Sequence, residues 1–256
     1  MQFVKKSVIV VGGYGGIGME TCKILLNRGI SNLGIFDLTE NDEKLNSLQS
    51  DDGNAQIRFW KVDVTNKLEC KTAFESAASE FGFIDFVVHS VGVVDELDPE
   101  KAIGVNLLGT INVNLAAIEC MTKEKEKGRG GAILTISSVF GLEPCSSYPV
   151  YAAAKHGIIG FLRSLGTEDL YNRTGVKIIV VCPGFTKPSM PRSTPDAIFP
   201  YLPVGSPDDR FQPVADCAKR VVDAVEDNDT GTIWIIDNSE LTQVAPIKYF
   251  FPPPPQ

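Results

Sequence analysis

The sequence predicts an α/β fold in which a parallel sheet of about seven strands carries helices on both faces. Short runs of apolar and β-branched residues alternate with longer amphipathic segments along the chain. The short runs are apolar at nearly every position, which is typical of strands buried on both faces. The length of 256 residues suits a single domain over 1–256, whose core is large enough to need no disulfide.

Strands and helices are predicted to alternate, as right-handed crossovers between parallel strands require. The predicted strands are 8–11, 33–36, 57–62, 84–88, 132–136, 176–181 and 232–236. The predicted helices are 16–28, 43–48, 66–81, 99–121, 151–171 and 213–226. Asp98 before Pro99 is a typical helix start, because a short carboxylate caps free N–H groups and proline fits the first turn. Ligands of such doubly wound sheets bind at the carboxyl ends of the strands.

Composition excludes several classes of function. The net charge of −8 disfavours nucleic acid and acidic lipid as partners, because both attract basic surfaces. The apolar runs are expected to be too short to span a membrane. The two histidines, His89 and His156, are in no metal-ligand spacing, so we expect no metal site. Six cysteines without a C-x-x-C pair, and a start without a cleavage pattern, predict free thiols in a cytoplasmic protein.

A glycine-rich turn follows the first strand and opens the first helix. The turn contains Gly12, Tyr14, Gly16, Ile17 and Gly18. Glycine lets the backbone approach a pyrophosphate closely, and the helix N-terminus supplies free N–H groups to it. In this strand–turn–helix context the motif predicts a dinucleotide site rather than a merely flexible turn.

Acidic residues at the ends of the next two strands extend the predicted cofactor site. Asp37 can accept hydrogen bonds from both hydroxyls of an adenosine ribose and would repel a 2′-phosphate, so NAD is favoured over NADP. The alternative is that Asp37 caps a turn. Asp63 and Val64 are placed at the adenine edge, although Asp63 could equally cap the helix that begins near Asn66.

A second group of polar residues predicts acid/base chemistry. Tyr151 and Lys155 are separated by one helical turn, so they lie on one face of the helix. A lysine ammonium beside a phenol favours the phenolate, and together with the positive charge of a bound nicotinamide it could make the phenolate a general base near neutral pH. Ser138 follows the fifth strand, where its hydroxyl can bind a substrate oxygen. Asn106 is a polar amide among apolar neighbours in a long helix, and a side chain of this kind is expected there only if it has a specific role.

Over essentially its whole length the chain resembles the short-chain dehydrogenase/reductase family, which has a Rossmann-type fold. The motifs that carry the resemblance are the glycine turn, the tetrad Asn106, Ser138, Tyr151 and Lys155, and Pro183-Gly184 after the sixth strand. Within the family, the run Tyr148-Pro-Val-Tyr151 and the run 231–234 resemble the insect alcohol dehydrogenases. The run 151–158 resembles the related 15-hydroxyprostaglandin dehydrogenases.

The resemblance implies hydride transfer between an alcohol carbon and a nicotinamide, with Tyr151 as acid/base. It implies that Lys155 binds the nicotinamide ribose and lowers the pKa of Tyr151. Ser138 would orient the substrate oxygen, and Asn106 would hold a water in a proton relay. It also assigns to the cofactor site Gly92, Pro183, Gly184 and Thr186. The chain departs from the family at His89-Ser90-Val91, where asparagine is usual, which leaves cofactor affinity open.

Apolar residues of the segment 185–212 predict a substrate lid and hence an apolar alcohol or carbonyl substrate, unless they pack onto the core instead. The tail 248–256 is predicted to be extended polyproline. The resemblance implies a homodimer or homotetramer. An NAD-binding storage, sensing or interaction protein with little turnover remains an alternative, as does a steroid, prostaglandin or isoprenoid alcohol as substrate.

Overall fold

The computed structural model of the chain describes residues 3–51, 55–125, 128–187, 211–226 and 229–245. The strands are β1 (Ser7–Val11), β2 (Asn32–Asp37), β3 (Gln56–Lys61), β4 (Phe86–His89), β5 (Gly131–Ile136), β6 (Val176–Pro183), β7 (Thr186–Lys187), β8 (Gln212–Pro213), β9 (Thr232–Asp237) and β10 (Glu240–Gln243). The helices are α1 (Gly16–Asn27), α2 (Asp42–Asp51), α3 (Lys67–Phe81), α4 (Pro99–Ile103), α5 (Gly109–Met121), α6 (Pro149–Leu165), α7 (Glu168–Thr174) and α8 (Val214–Asp223).

The predicted doubly wound α/β fold is confirmed. The main sheet has eight strands in the order β10-β9-β6-β5-β4-β1-β2-β3, and β7 and β8 form a separate pair. All strands of the main sheet are parallel except β10, which returns antiparallel along β9. The additional strand was missed because Glu240–Gln243 is polar and exposed, as an edge strand can be. The strand order reverses beside β1 and β4, so a crevice opens there at their carboxyl ends.

Two long helices predicted from the sequence are interrupted. The segment predicted as one helix over 99–121 consists of α4, a π-helical turn (Gly104–Leu108) and α5. The segment predicted over 151–171 begins earlier, at Pro149, and breaks at Gly166. A new helix then starts because the Thr167 side chain accepts a hydrogen bond from Leu170 N. Apolar periodicity continues through both breaks, so it could not reveal them.

The sheet separates two apolar layers. One layer packs α1 and α8 against one face, around Leu25, Val10 and Val221. The other packs α3, α5 and α6 against the opposite face, around Phe74 and Ile158. All six cysteines are free, as predicted.

We predicted that the apolar runs are too short to span a membrane. By the criteria of length and composition alone that prediction is wrong, because the helical stretch Pro99–Met121 is long and apolar enough. Part of this stretch is buried in the fold. α5 packs against α3, and the buried side chains of Asn112 and Asn114 bond to Val64 O and Thr135 Oγ1. Most of the predicted lid (188–210) and the predicted tail lie outside the described residues.

Candidate active site

The glycine turn has the shape that a dinucleotide phosphate requires. Gly12 lies in the left-handed region at φ +78°, and a Cβ at Gly18 would overlap the Gly12 carbonyl oxygen. Gly15, the residue that precedes α1, provides no side-chain cap, and the first turn of α1 contains no acidic residue. The free N–H groups and the positive helix end are therefore available to an anion, and these residues fit the pyrophosphate of a dinucleotide.

Asp37 lies beside this turn at the end of β2. Its carboxylate accepts hydrogen bonds from Tyr14 N at 3.0 Å and Leu38 N at 2.9 Å, and it lines a cleft of about 340 Å³. Asp37 therefore caps backbone N–H groups of the turn, as the alternative interpretation predicted. A carboxylate has about four acceptor positions, so two remain for ribose hydroxyls in the cleft. Lys44 closes the same cleft by donating from Nζ to Tyr14 O at 2.6 Å.

Tyr14 and Ile17 belong to the turn, but their side chains serve the core. The Tyr14 ring stacks on Phe59 with centroids 5.6 Å apart, and burial raises its pKa to about 12. Ile17 is half-buried against the apolar layer that contains α1. Tyr14 therefore shapes the floor of the cleft with its ring and holds Asp37 with its backbone N–H.

Asp63 and Val64 lie at the end of β3, where the sequence placed them. The Asp63 carboxylate binds Thr65 through both N and Oγ1, at 2.9 and 2.7 Å. Asn66 caps α3 instead, because its side chain accepts from Leu68 N and Glu69 N. The alternative that Asp63 caps this helix is therefore wrong. Val64 is buried, and Gly92 is half-buried after β4.

Ser138, Tyr151 and Lys155 meet at the carboxyl ends of β5 and β6. All three side chains are buried, and Lys155 Nζ lies 5.4 Å from the centre of the Tyr151 ring. Ser138 hydrogen-bonds the Tyr151 side chain and lowers its pKa, but burial outweighs this effect and raises the pKa to about 12. Burial lowers the pKa of Lys155 to about 8. With burial as the dominant effect the phenol is protonated near neutral pH, and the expected phenolate depends on the added charge of a bound nicotinamide.

Asn106 lies in the π-helical turn and is fully buried. Its side chain accepts from Val93 N at 2.9 Å and donates to Val93 O at 2.8 Å. The backbone carbonyl oxygen of Asn106 accepts a hydrogen bond from Thr110 Oγ1 at 2.6 Å. The amide therefore fastens this helical turn to the loop after β4, and the turn packs against α6, the helix of Tyr151 and Lys155.

Pro183 and Gly184 end β6, and Thr186 follows in the short strand β7. The backbone of Gly184 lies close to the Asp237 side chain, whose carboxylate would have to move to admit a Cβ at this position. Thr186 Oγ1 donates to Gly184 O at 3.1 Å and accepts from Gln212 Nε2 at 3.2 Å. The contact therefore holds both ends of the predicted lid at the edge of the site.

An aromatic cluster lies next to Ser138. Phe185 lies between Phe140 and Phe211, with ring centroids 5.7 and 5.5 Å away. Phe140 follows Ser138 by two positions, so the cluster begins beside the proposed substrate oxygen site. Of the apolar lid residues that suggested an apolar substrate, Phe211 lies within the described residues, and Phe185 begins the same segment.

Sequence reasoning missed Glu96, a buried residue after β4. Its carboxylate accepts hydrogen bonds from Val150 N at 2.9 Å and Tyr151 N at 2.8 Å, the first turn of α6. Tyr148, which precedes α6, supplies no side-chain cap. Glu96 therefore fixes the start of the helix that carries Tyr151 and Lys155. Its place in the acidic run 95–98 gave no signal, since such runs are usually solvated.

These features define a nucleotide-binding α/β protein with a serine, tyrosine and lysine site. A family model described as short chain dehydrogenase matches residues 6–198. The chain belongs to the short-chain dehydrogenase family and is an oxidoreductase of that type. Family membership indicates a nicotinamide cofactor.

Relatives and solved structures are similar over nearly the whole chain. Alcohol dehydrogenase 2 of Ceratitis cosyra is 35% identical, over 96% of this chain and 97% of that protein. The development-specific 25 kDa protein of Sarcophaga peregrina is 30% identical, over 97% and 99%. The crystal structure of levodione reductase has a TM-score of 0.77 at 22% identity, over 92% of this chain and 97% of that one. The NAD+-bound xylitol dehydrogenase structure has 0.75 at 20%, over 93% and 99%.

Proposed function

We propose that the chain is an NAD-dependent alcohol dehydrogenase, which interconverts an alcohol and its aldehyde or ketone. The meeting of Ser138, Tyr151 and Lys155 at the strand ends, beside the glycine turn, carries the proposal. The names of the insect alcohol dehydrogenases that resemble this chain support it.

Each residue has a defined task in alcohol oxidation. The bound nicotinamide supplies a hydride acceptor for the alcohol carbon. Tyr151 takes the hydroxyl proton, and the C–O bond becomes a carbonyl. Ser138 holds the alcohol oxygen against the phenol through its hydroxyl. Lys155, two per cent exposed, provides the positive charge that makes proton loss from Tyr151 easier. In the reverse direction the phenol returns the proton.

Burial of Tyr151 gives this reaction a clear pH dependence. Because its pKa lies near 12 in the cofactor-free chain, the phenolate is scarce at neutral pH. We infer that the charge of Lys155 and of the bound cofactor lowers this pKa in the working complex. Oxidation consumes the phenolate form, so its rate rises with pH, whereas reduction uses the phenol.

Asp37 is proposed to select NAD over NADP. Replacement by alanine in Asp37→Ala removes the repulsion of a 2′-phosphate and the acceptor for the ribose hydroxyls. We expect the NAD/NADP ratio of kcat/KM to fall about tenfold or more, since a hydrogen bond to a charged group contributes roughly 1.5–3 kcal/mol. Glu40→Ala, in the same cleft but without a proposed ribose contact, is the control and keeps the ratio. An unchanged ratio in Asp37→Ala contradicts the assignment.

The substrate is proposed to be apolar, because Phe140, Phe185 and Phe211 border the site. NADH absorbance, measured with NAD and alcohols from ethanol to steroid size, tests both the dehydrogenase activity and the preference for apolar substrates. We expect turnover, with kcat/KM rising with the apolar size of the alcohol. Tight NAD binding without turnover of any alcohol or carbonyl would favour the alternative of a storage, sensing or interaction protein. We test this alternative because the relative from Sarcophaga peregrina is named a development-specific protein and not a dehydrogenase.

We further propose a cytoplasmic homodimer or homotetramer. Leu108 and Leu115 are exposed by 48% and 43%, near the surface shared by α5 and α6. Two such apolar side chains on one helical stretch suit a contact with a second copy of the chain.

A further inference from the structure

A buried polar network lies behind Lys155, between the sheet and α5. His89, Thr110, Asn114 and Thr135 are all fully buried. His89 Nε2 lies 3.0 Å from Thr110 Oγ1, and Thr110 Oγ1 lies 2.6 Å from Asn106 O. These residues connect the end of β4 to the π-helical turn that contains Asn106.

The network determines which imidazole nitrogen carries the proton. Asn106 O can only accept, so the single hydroxyl hydrogen of Thr110 points to it. Thr110 Oγ1 must then accept from His89, which places the ring hydrogen on Nε2 and leaves a lone pair on Nδ1. Burial, assisted by the charge of Lys155, lowers the pKa of His89 to about 3, so the ring is neutral.

His89 Nδ1 is a buried acceptor without a donor. No donor within the described ranges lies at hydrogen-bond distance from it. A buried polar atom of this kind normally has a partner, because leaving it unpaired costs the free energy of a lost hydrogen bond. Nδ1 is therefore able to accept a hydrogen bond from a donor that is not part of the described chain.

Lys155 has the complementary shortage, because its ammonium has more N–H donors than acceptors among the described residues. Its ammonium has three N–H bonds, and among the described residues Nζ reaches one acceptor, Ile136 O at 3.3 Å. The two side chains are close in the fold. His89 pairs with Thr135 in the β4–β5 register, next to Ile136, and both side chains lie on the sheet face covered by α5 and α6.

We propose that one buried water joins these groups, accepting from Lys155 Nζ and donating to His89 Nδ1. His89 is then a positioning residue for Lys155, in a place where the family usually has asparagine. The hydrogen bond itself does not depend on the proposed function, whereas its effect on turnover does. Two polar partners are the fewest that a buried water normally has.

Nuclear magnetic resonance of the imidazole nitrogens tests the hydrogen bond directly. The chain has only two histidines, and the variant His156→Gln assigns the signals of the 15N-labelled protein. At pH 7 we expect His89 as the Nε2–H tautomer, with Nδ1 shifted from the position of a free nitrogen toward that of a hydrogen-bond acceptor. In Lys155→Met the Nδ1 signal should move back. A proton on Nδ1, an unbonded Nδ1 in the wild type, or no change in Lys155→Met overturns the proposal.

Kinetics of two His89 variants test the positioning role. His89→Phe keeps a ring but has no acceptor, and we expect kcat at saturating NAD to fall about tenfold, as for other residues that orient a functional group from behind. His89→Asn restores an acceptor and should recover most of the rate. Equal rates in both variants contradict the role. If the wild type shows no turnover, the proposed function fails while the nitrogen signals still decide the hydrogen bond.

Discussion

Replacement of Tyr151 in Tyr151→Phe is expected to lower kcat for alcohol oxidation by about 10²- to 10⁴-fold, the usual contribution of a positioned general base. The change removes one oxygen atom and leaves the ring in its buried site. NAD affinity should therefore stay within about twofold, because the glycine turn and Asp37 are untouched. Stopped-flow absorbance of NADH and titration of NAD binding measure the two quantities.

The pH profile provides the second readout of this prediction. The wild-type rate of oxidation should rise from neutral to alkaline pH, because the buried phenol must lose its proton first. The residual rate of Tyr151→Phe should lose that dependence. Tyr171→Phe makes the same chemical change on α7, away from the site, and should behave as the wild type. Substantial activity in Tyr151→Phe means that another group is the base.

Removal of the Glu96 side chain in Glu96→Ala is expected to produce the second large effect. It leaves the N–H groups of Val150 and Tyr151 without their acceptor at a buried helix start. An unpaired buried donor costs about 1–3 kcal/mol, and a shift of about 1 Å in a catalytic group costs up to about 10²-fold in rate. We expect a loss of about 2 kcal/mol in the free energy of unfolding. The melting temperature should fall by about 4–8 °C, and kcat should decrease more than KM changes.

Two further variants separate positioning from charge. Glu96→Gln keeps one acceptor oxygen and should recover part of both losses. Glu100→Ala removes an exposed carboxylate nearby on α4 and should leave stability and kcat unchanged. If Glu96→Ala unfolds at a lower temperature but retains its wild-type kcat, then the carboxylate stabilises α6 without positioning Tyr151.

The residues that the sequence located correctly are those that depend on local order along the chain. Gly12, Gly16 and Gly18 must follow a buried strand and open a helix, and the spacing of Tyr151 and Lys155 places them on one helical face. Such relations are fixed by the geometry of a turn and of a helix, whatever packs around them. Asp98 as the cap of α4 is of the same kind, and its side chain accepts from Lys101 N at 3.0 Å.

The ionisation of the site was not predictable in this way. The spacing of Tyr151 and Lys155 suggested a phenolate near neutral pH once a nicotinamide is bound, but it did not reveal that burial raises the pKa of Tyr151 and lowers that of Lys155. Burial depends on the elements that cover the site, and these come from distant parts of the sequence. Local spacing contains no information on how much water they exclude.

The sequence by itself thus determined the fold class, the glycine turn between the first strand and the first helix, and the order of Ser138, Tyr151 and Lys155, because periodicity and turn chemistry act over a few neighbouring positions. Only the tertiary structure decided that Glu96 caps α6, that Asn106 is tied to Val93 and that His89 Nδ1 meets no donor from the described residues. Each of these depends on two elements meeting across the core. Which atoms meet is set by packing between segments that are far apart in the chain, so no local pattern could specify them.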